Sequence, residues 1–177
     1  MSASGYSRFL ELNRTDLELL RKRASELGRA PTDVEAGDLV DLVELTSRGQ
    51  VYAVPLAAVE GITELTSLAA VPRAPDFVCG MASFRGEVLI GVEISRLIGA
   101  AQGFTDLKRV IALSHDGKKL AIVAEKSLQV RSTPLMRFKT SGVGQHPLIV
   151  GTDESFVSLI DVSALVRHTF DALGRQR

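Results

Sequence analysis

Along most of this chain, β-favouring apolar positions come in short runs bounded by turn-forming residues. DLVELTSRGQVYAV (41–54) has such runs on both sides of Arg48-Gly49, and RVIALSHDGKKLAI (109–122) repeats the arrangement around Asp116-Gly117. Runs of this length, divided by a turn glycine and in the second copy by the strong Asp-Gly signal, predict β-hairpins. Laid over each other at an offset of 68 residues, the two segments match Leu42 with Val110, Val43 with Ile111, Leu45 with Leu113, Gly49 with Gly117 and Ala53 with Ala121. The same offset sets VEISRLI (92–98) on IDVSALV (160–166), with Glu93 on Asp161 and Leu97 on Leu165. Two segments sharing one offset predict a duplicated unit. Each unit closes with a short apolar strand, 88–94 or 156–162, that runs into a helical turn. Such closely spaced strands predict small barrels rather than βαβ units. The expected fold is therefore mainly β, with two SH3-like five-stranded barrels side by side. The first spans about 38–105 and the second about 106–160, followed by a closing helix from about 161.

The ends follow a different period. Leu17, Leu20, Ala24 and Leu27 form one helical stripe, Thr15 and Glu18 fit a capping box, and Gly28 stands where the helix should stop. Residues 1–37 thus read as a helical extension and polar linker, either docked on the barrels or used to bind a partner or self-associate. Val162, Leu165, Val166, Phe170 and Leu173 form a second stripe, and 171–177 ends as a tail.

Composition narrows the class. The 21 basic and 21 acidic residues cancel, which argues against a phosphate-tracking nucleic-acid binder. There is no tryptophan, and only two tyrosines, for stacking on bases. No apolar run is long enough for a secretory signal or a membrane span, so a cytoplasmic protein is expected. At 177 residues the chain can bury roughly 70% of its extended surface and needs no staples.

A search for catalysis returns little. Ser114-His115-Asp116 contains the residue types of a hydrolase triad, but three consecutive residues in a tight turn cannot orient in series. His146 and His168 lack a second ligand at helical spacing, so no metal site is expected. SGVGQHP (141–147) lacks the Lys-Ser/Thr of a phosphate loop and reads as a turn. Cys79, the single cysteine, sits in an apolar run and reads as a buried structural thiol. No cofactor and no enzymatic activity are expected. What remains is GMASFRGEVLIGVEISRLIG (80–99), apolar on both sides of Phe84-Arg85-Gly86. Whether Arg85 only closes a turn or is read by a partner stays open at this level.

The segment 52–99 resembles the CheW-like domain of bacterial chemosensory systems. The landmarks, in order, are YAVP, Val59, Val71-Pro72 with Pro75, Gly80, Arg85-Gly86, and Val92-Glu93-Ile94 before Leu97. RVIALSHDGKKLAIVAEKSLQV and LIVGTDESFVSLIDVSALV extend the resemblance over roughly 38–170. It implies two packed SH3-like barrels and a non-enzymatic coupling protein that links the cytoplasmic tips of chemoreceptors to a CheA-type histidine kinase, associated with receptor arrays. It also implies that Arg85 and Gly86, with Phe84, Val59 and Ile62, contribute to a partner face, and that Pro72, Pro75, Gly80 and Glu93 hold structure. Gly61 stands where the family usually has the glutamate that pairs with this arginine. Ser83 replaces an asparagine, Ile90-Gly91 a proline-hydrophobic step, and Glu93 an aspartate. Arg85 should then meet Glu60 or Glu64, or project freely. The alternative reading is a divergent adaptor that does not bind the kinase and recruits another partner through its N-terminal helix.

Overall fold

The computed structural model describes residues 39–100, 105–125, 128–140 and 146–175. The expected N-terminal helix and linker, and residues 141–145 of the glycine-containing loop, lie outside the described residues.

The two expected hairpins are present. Strand β1 (Leu39–Ser47) turns through Arg48-Gly49 into β2 (Gln50–Pro55), and β7 (Arg109–His115) turns through Asp116-Gly117 into β8 (Lys118–Ala124). Both turns carry two left-handed residues, φ 51° and 75° in the first and 48° and 72° in the second. That is the type I′ geometry whose twist matches paired strands. Between the hairpins lie β3 (Val59–Glu64), β4 (Leu68–Ala69), β5 (Val78–Phe84), β6 (Glu87–Val92) and a short helix α1 (Ile94–Leu97). After β8 come β9 (Leu128–Pro134), β10 (Ile149–Thr152), β11 (Ser158–Ile160) and helix α2 (Val162–Gly174).

These strands form a five-stranded sheet, β10-β11-β2-β1-β9, and a six-stranded sheet, β3-β7-β8-β6-β5-β4. Each sheet draws on both sides of residue 105, so the expected boundary there does not separate them. The hairpins are exchanged: β2 pairs in parallel with β11 of the second half, and β8 with β6 of the first. The paired residues keep the repeat, Ala53 with Leu159 in one sheet and Ala121 with Gly91 in the other. The neighbouring strands β5 and β10 repeat the pairing at an offset of 71 residues, three more than the rest. Val78 pairs with Val92 and Gly80 with Gly91 across a bulge, as Ile149 pairs with Ile160 and Gly151 with Leu159 across its counterpart. The sixth strand of the second sheet is the two-residue β4.

The largest core lies between the sheets. Leu45, Tyr52 and Val54 meet Ile111, Leu113, Leu120 and Ile122 there, joined by Ile94, Leu165 and Val166 from the helices. Fully burying each of the large aliphatics contributes roughly 1.5–3 kcal/mol. The opposite faces of the same hairpins line two smaller interiors, one with Leu42, Ala53 and Leu159, the other with Val110, Ala112 and Ala121. Burial on both faces explains why the hairpin strands read as nearly continuous apolar runs. It also explains the alanines at matched positions of the repeat, since Ala53 and Ala121 face the narrow interiors.

Candidate partner-binding surface

The sequence around Arg85 folds as a third tight hairpin. Phe84 pairs with Glu87, and Arg85 and Gly86 adopt φ 49° and 83° between them. An arginine in the left-handed region carries a conformational cost that only a few residue types avoid. Gly86 has no atom within 4 Å of where a Cβ would stand, so backbone geometry and not crowding selects glycine there.

Arg85 projects from the exposed tip, and its guanidinium lies 5.0 Å from the centre of the Phe84 ring. The carboxylates expected to meet it are engaged elsewhere. Glu60 is held by Lys119 Nζ at 3.2 Å, and the same ammonium holds Glu87 at 3.0 Å. Glu64 is held by Arg109 at 3.0 Å. Glu87 first, and Glu60 with it, raise the Lys119 pKa above the ordinary lysine value. Among the described residues, the arginine of the Arg-Gly motif thus meets the Phe84 ring and no carboxylate.

Of the five residues expected on a partner face, Arg85 and Gly86 reach the surface. Val59 and Ile62 belong to the core between the sheets, and Phe84 packs into the smaller interior beneath the turn. Strand β3 is apolar on the side that meets β7 and its neighbours, so the side chains that looked available from sequence are consumed by packing. In their place β5 and β6 present Met81, 37% exposed, and Val88, 67% exposed, with Ser83 opposite Val88. Sequence reasoning missed one further feature. Phe156 is 82% exposed at φ 61°, on a loop held by Asp153. Asp153 Oδ1 accepts from the amides of Ser155 and Val157 at 2.9 Å each, and Oδ2 accepts from Arg131 at 2.7 Å. Burial pushes the Asp153 carboxyl up, but the Arg131 guanidinium and these two amides outweigh it and leave its pKa below the ordinary value. The repeat itself carried the missed signal, because Phe156 lies 68 positions after Val88.

The residues expected to hold structure, and Gly91 beside them, have the following surroundings. A Cβ on Gly80 would stand 2.7 Å from the Ala69 carbonyl oxygen, and its φ is 146°. Gly91 leaves no more room, with Val123 at 2.9 Å. Pro72 occupies the second position of a turn closed by Ala74 N–H to Val71 O at 3.2 Å, and Pro75 O accepts from Val78 N at 2.9 Å. Glu93, 1% exposed, binds Arg48 Nε at 2.5 Å and Arg96 Nε at 2.9 Å. It thereby ties the first hairpin turn to α1. Beside it Ser95 Oγ donates to Ser47 O at 2.8 Å and lies 3.2 Å from the Tyr52 hydroxyl. Burial, followed by the Ser95 contact in the opposite direction, leaves the Tyr52 pKa raised. In the second copy Asp161, one methylene shorter, caps α2 by accepting from Ala164 N at 2.9 Å.

The remaining candidates for chemistry have ordinary surroundings. His115 Nε2 lies 3.4 Å from Asp116 Oδ2 at the hairpin tip, and His146 Nδ1 accepts from Leu148 N at 3.3 Å. The His168 ring lies 5.7 Å from that of Phe77. Cys79 is partly buried, and burial, with Glu93 adding to it, pushes its thiol up to about 12. Among the described residues, no group of three His, Cys, Asp or Glu side chains is placed to hold a metal. No helix among them is long and apolar enough to cross a membrane.

No curated protein sequence matches the chain. Among solved structures, the scaffolding protein TtCheW from Thermoanaerobacter tengcongensis is similar at a TM-score of 0.62 and 14% identity, over 72% of this chain and 92% of that one. At that identity the likeness speaks for the fold of two β subdomains. The sequence-level family comparison is independent of it: the CheW-like domain matches residues 41–170, which take in both exchanged hairpins, the Arg85-Gly86 tip and most of α2. With that span matched, the chain belongs to the CheW-like domain family.

Proposed function

We propose that this protein is a non-enzymatic scaffold of bacterial chemosensory signalling, coupling the cytoplasmic tips of chemoreceptors to a CheA-type histidine kinase at receptor arrays. One observation carries the reading: the β5–β6 hairpin presents an exposed arginine at its tip, stacked on Phe84 and with no carboxylate partner among the described residues, with Met81 and Val88 exposed on the strands behind it. A cation flanked by exposed apolar side chains is the make-up of an interface core and its rim. Membership of a scaffold family supports the same reading, as does similarity to a protein described as scaffolding. Proteins act as the partners here, with no nucleic acid and no cofactor.

Arg85→Glu reverses the charge of an exposed side chain and leaves the turn glycine in place, so the fold should survive. Binding to the kinase regulatory domain or the receptor tip, measured by titration calorimetry, should weaken at least tenfold, about 1.4 kcal/mol. Unchanged affinity with both partners would confine Arg85 to its turn. If the kinase fails to bind the wild-type chain while another protein does, the adaptor reading replaces the coupling one.

A further inference from the structure

An open groove of about 500 Å³ lies where the two sheets meet, lined by Pro55, Ala57, Ala58, Leu135, Val150 and Leu159 among others. Its rim is unusually apolar for a surface. Leu135 is 45% exposed and Val150 47%, and beside them Met136 is 60% exposed and Leu39 66%. Exposed apolar side chains gathered at a concave site mark a place that something covers.

The chain enters the described fold at this place. Leu39 is the first residue of β1 and pairs with Pro134, immediately before Leu135 of the groove. Thirty-eight residues precede it, and they contain the stripe Leu17, Leu20, Ala24 and Leu27. A helix of about 13 residues is about 20 Å long. At that length it is marginal in water by itself and needs a surface for its apolar face. The 11 or so residues from Gly28 onward can span at most about 40 Å, enough for the stripe to fold back onto the groove beside which the chain enters. A tether of this kind holds a segment at an effective concentration on the order of millimolar. The Met81–Val88 strip lies in the other sheet and has no comparable continuity with the start of β1.

We propose that residues 15–28 of this same chain occupy the groove, laying Leu17, Leu20, Ala24 and Leu27 against Leu135, Val150 and the Pro55–Ala58 turn. The docking stands whether or not the coupling function is right. If coupling is right, any partner that enters between the subdomains must first displace this segment.

Hydrogen–deuterium exchange on the full-length chain tests it. Amides of residues 17–27 should exchange at least about tenfold slower than an unstructured peptide, with no dependence on protein concentration. Leu135→Asp should return them to within about twofold of the unstructured rate, and Val88→Asp should not. Should Leu135→Asp fail to fold, Leu20→Asp replaces it, and faster exchange is then read at 135–137 and 149–151. Absence of protection in the wild type overturns the proposal. So does protection that persists in Leu135→Asp and Leu20→Asp, or that disappears on dilution, which would assign the groove to a second copy.

Discussion

Replacing Glu93 with alanine removes the carboxylate that joins the first hairpin turn to α1. In the folded protein Glu93 is 1% exposed and meets Arg48, whose side chain is 11% exposed, and Arg96, which is 43% exposed. Arg96 can turn to water once the carboxylate is gone. The Arg48 side chain, far less exposed, loses its Glu93 contact where solvent reaches it poorly. Breaking a buried pair from one side costs about 3–5 kcal/mol, and the escape of Arg96 places this case near the lower end, at about 3 kcal/mol. For a chain of this size that corresponds to a fall in melting temperature of roughly 6–12 °C. The internal control is Asp161, its counterpart 68 residues on, which caps α2 and forms no ion pair with an arginine among the described residues. Asp161→Ala should cost only about 1 kcal/mol. Urea unfolding followed by circular dichroism, with unchanged slopes, would measure both. The double variant Arg48→Ala/Glu93→Ala should lose less than the sum of its parts, because either single change already breaks the contact the two share. Equal losses for Glu93→Ala and Asp161→Ala, or a Glu93→Ala loss below about 1 kcal/mol, would refute the reasoning.

Three further outcomes follow from the same geometry. With its thiol pushed up to about 12, Cys79 is far less ionised at pH 8 than an ordinary thiol near 9, and even after the greater nucleophilicity of a more basic thiolate its alkylation should run at least about tenfold slower in native protein than in urea. Equal rates in the two conditions would contradict its burial. Gly151→Ala would set a Cβ 2.8 Å from the Phe138 carbonyl carbon and should cost about 1–3 kcal/mol by thermal melting. Gly174→Ala, with nothing within 4 Å, should be neutral or slightly stabilising, and a loss as large as that of Gly151→Ala would remove the steric explanation. Asp153 has a folded pKa below its unfolded value, so its contribution is fully present above the ordinary value of 3.8 and is lost as pH falls through the lower one. Stability measured by urea titration from pH 5 downward should therefore fall less steeply in Asp153→Asn than in the wild type, and parallel curves would count against the Arg131 contact.

What adjacent residues encode was readable from the chain alone. Arg48-Gly49, Arg85-Gly86 and Asp116-Gly117 each announce a left-handed turn, because the conformational freedom of glycine acts within one or two peptide units. The duplication was readable as well, since matched burial leaves matched residues, such as Ala53 and Ala121 facing narrow interiors. Only the tertiary structure decided which hairpin pairs with which closing strand. The two hairpins carry the same pattern, and a pattern says that a face is apolar without saying which apolar face it meets. The same ambiguity made Val59 and Ile62 look available for a partner, although they are buried in the core between the two sheets. It also hid Val88 and Phe156, apolar in sequence yet exposed where the sheets end. Glu93 and Asp161 align as equivalents, but one methylene and the presence of Arg48 on the exchanged hairpin make the first an ion-pair centre and the second a helix cap. Their difference depends on residues 45 positions apart in sequence meeting in space, which no local pattern records.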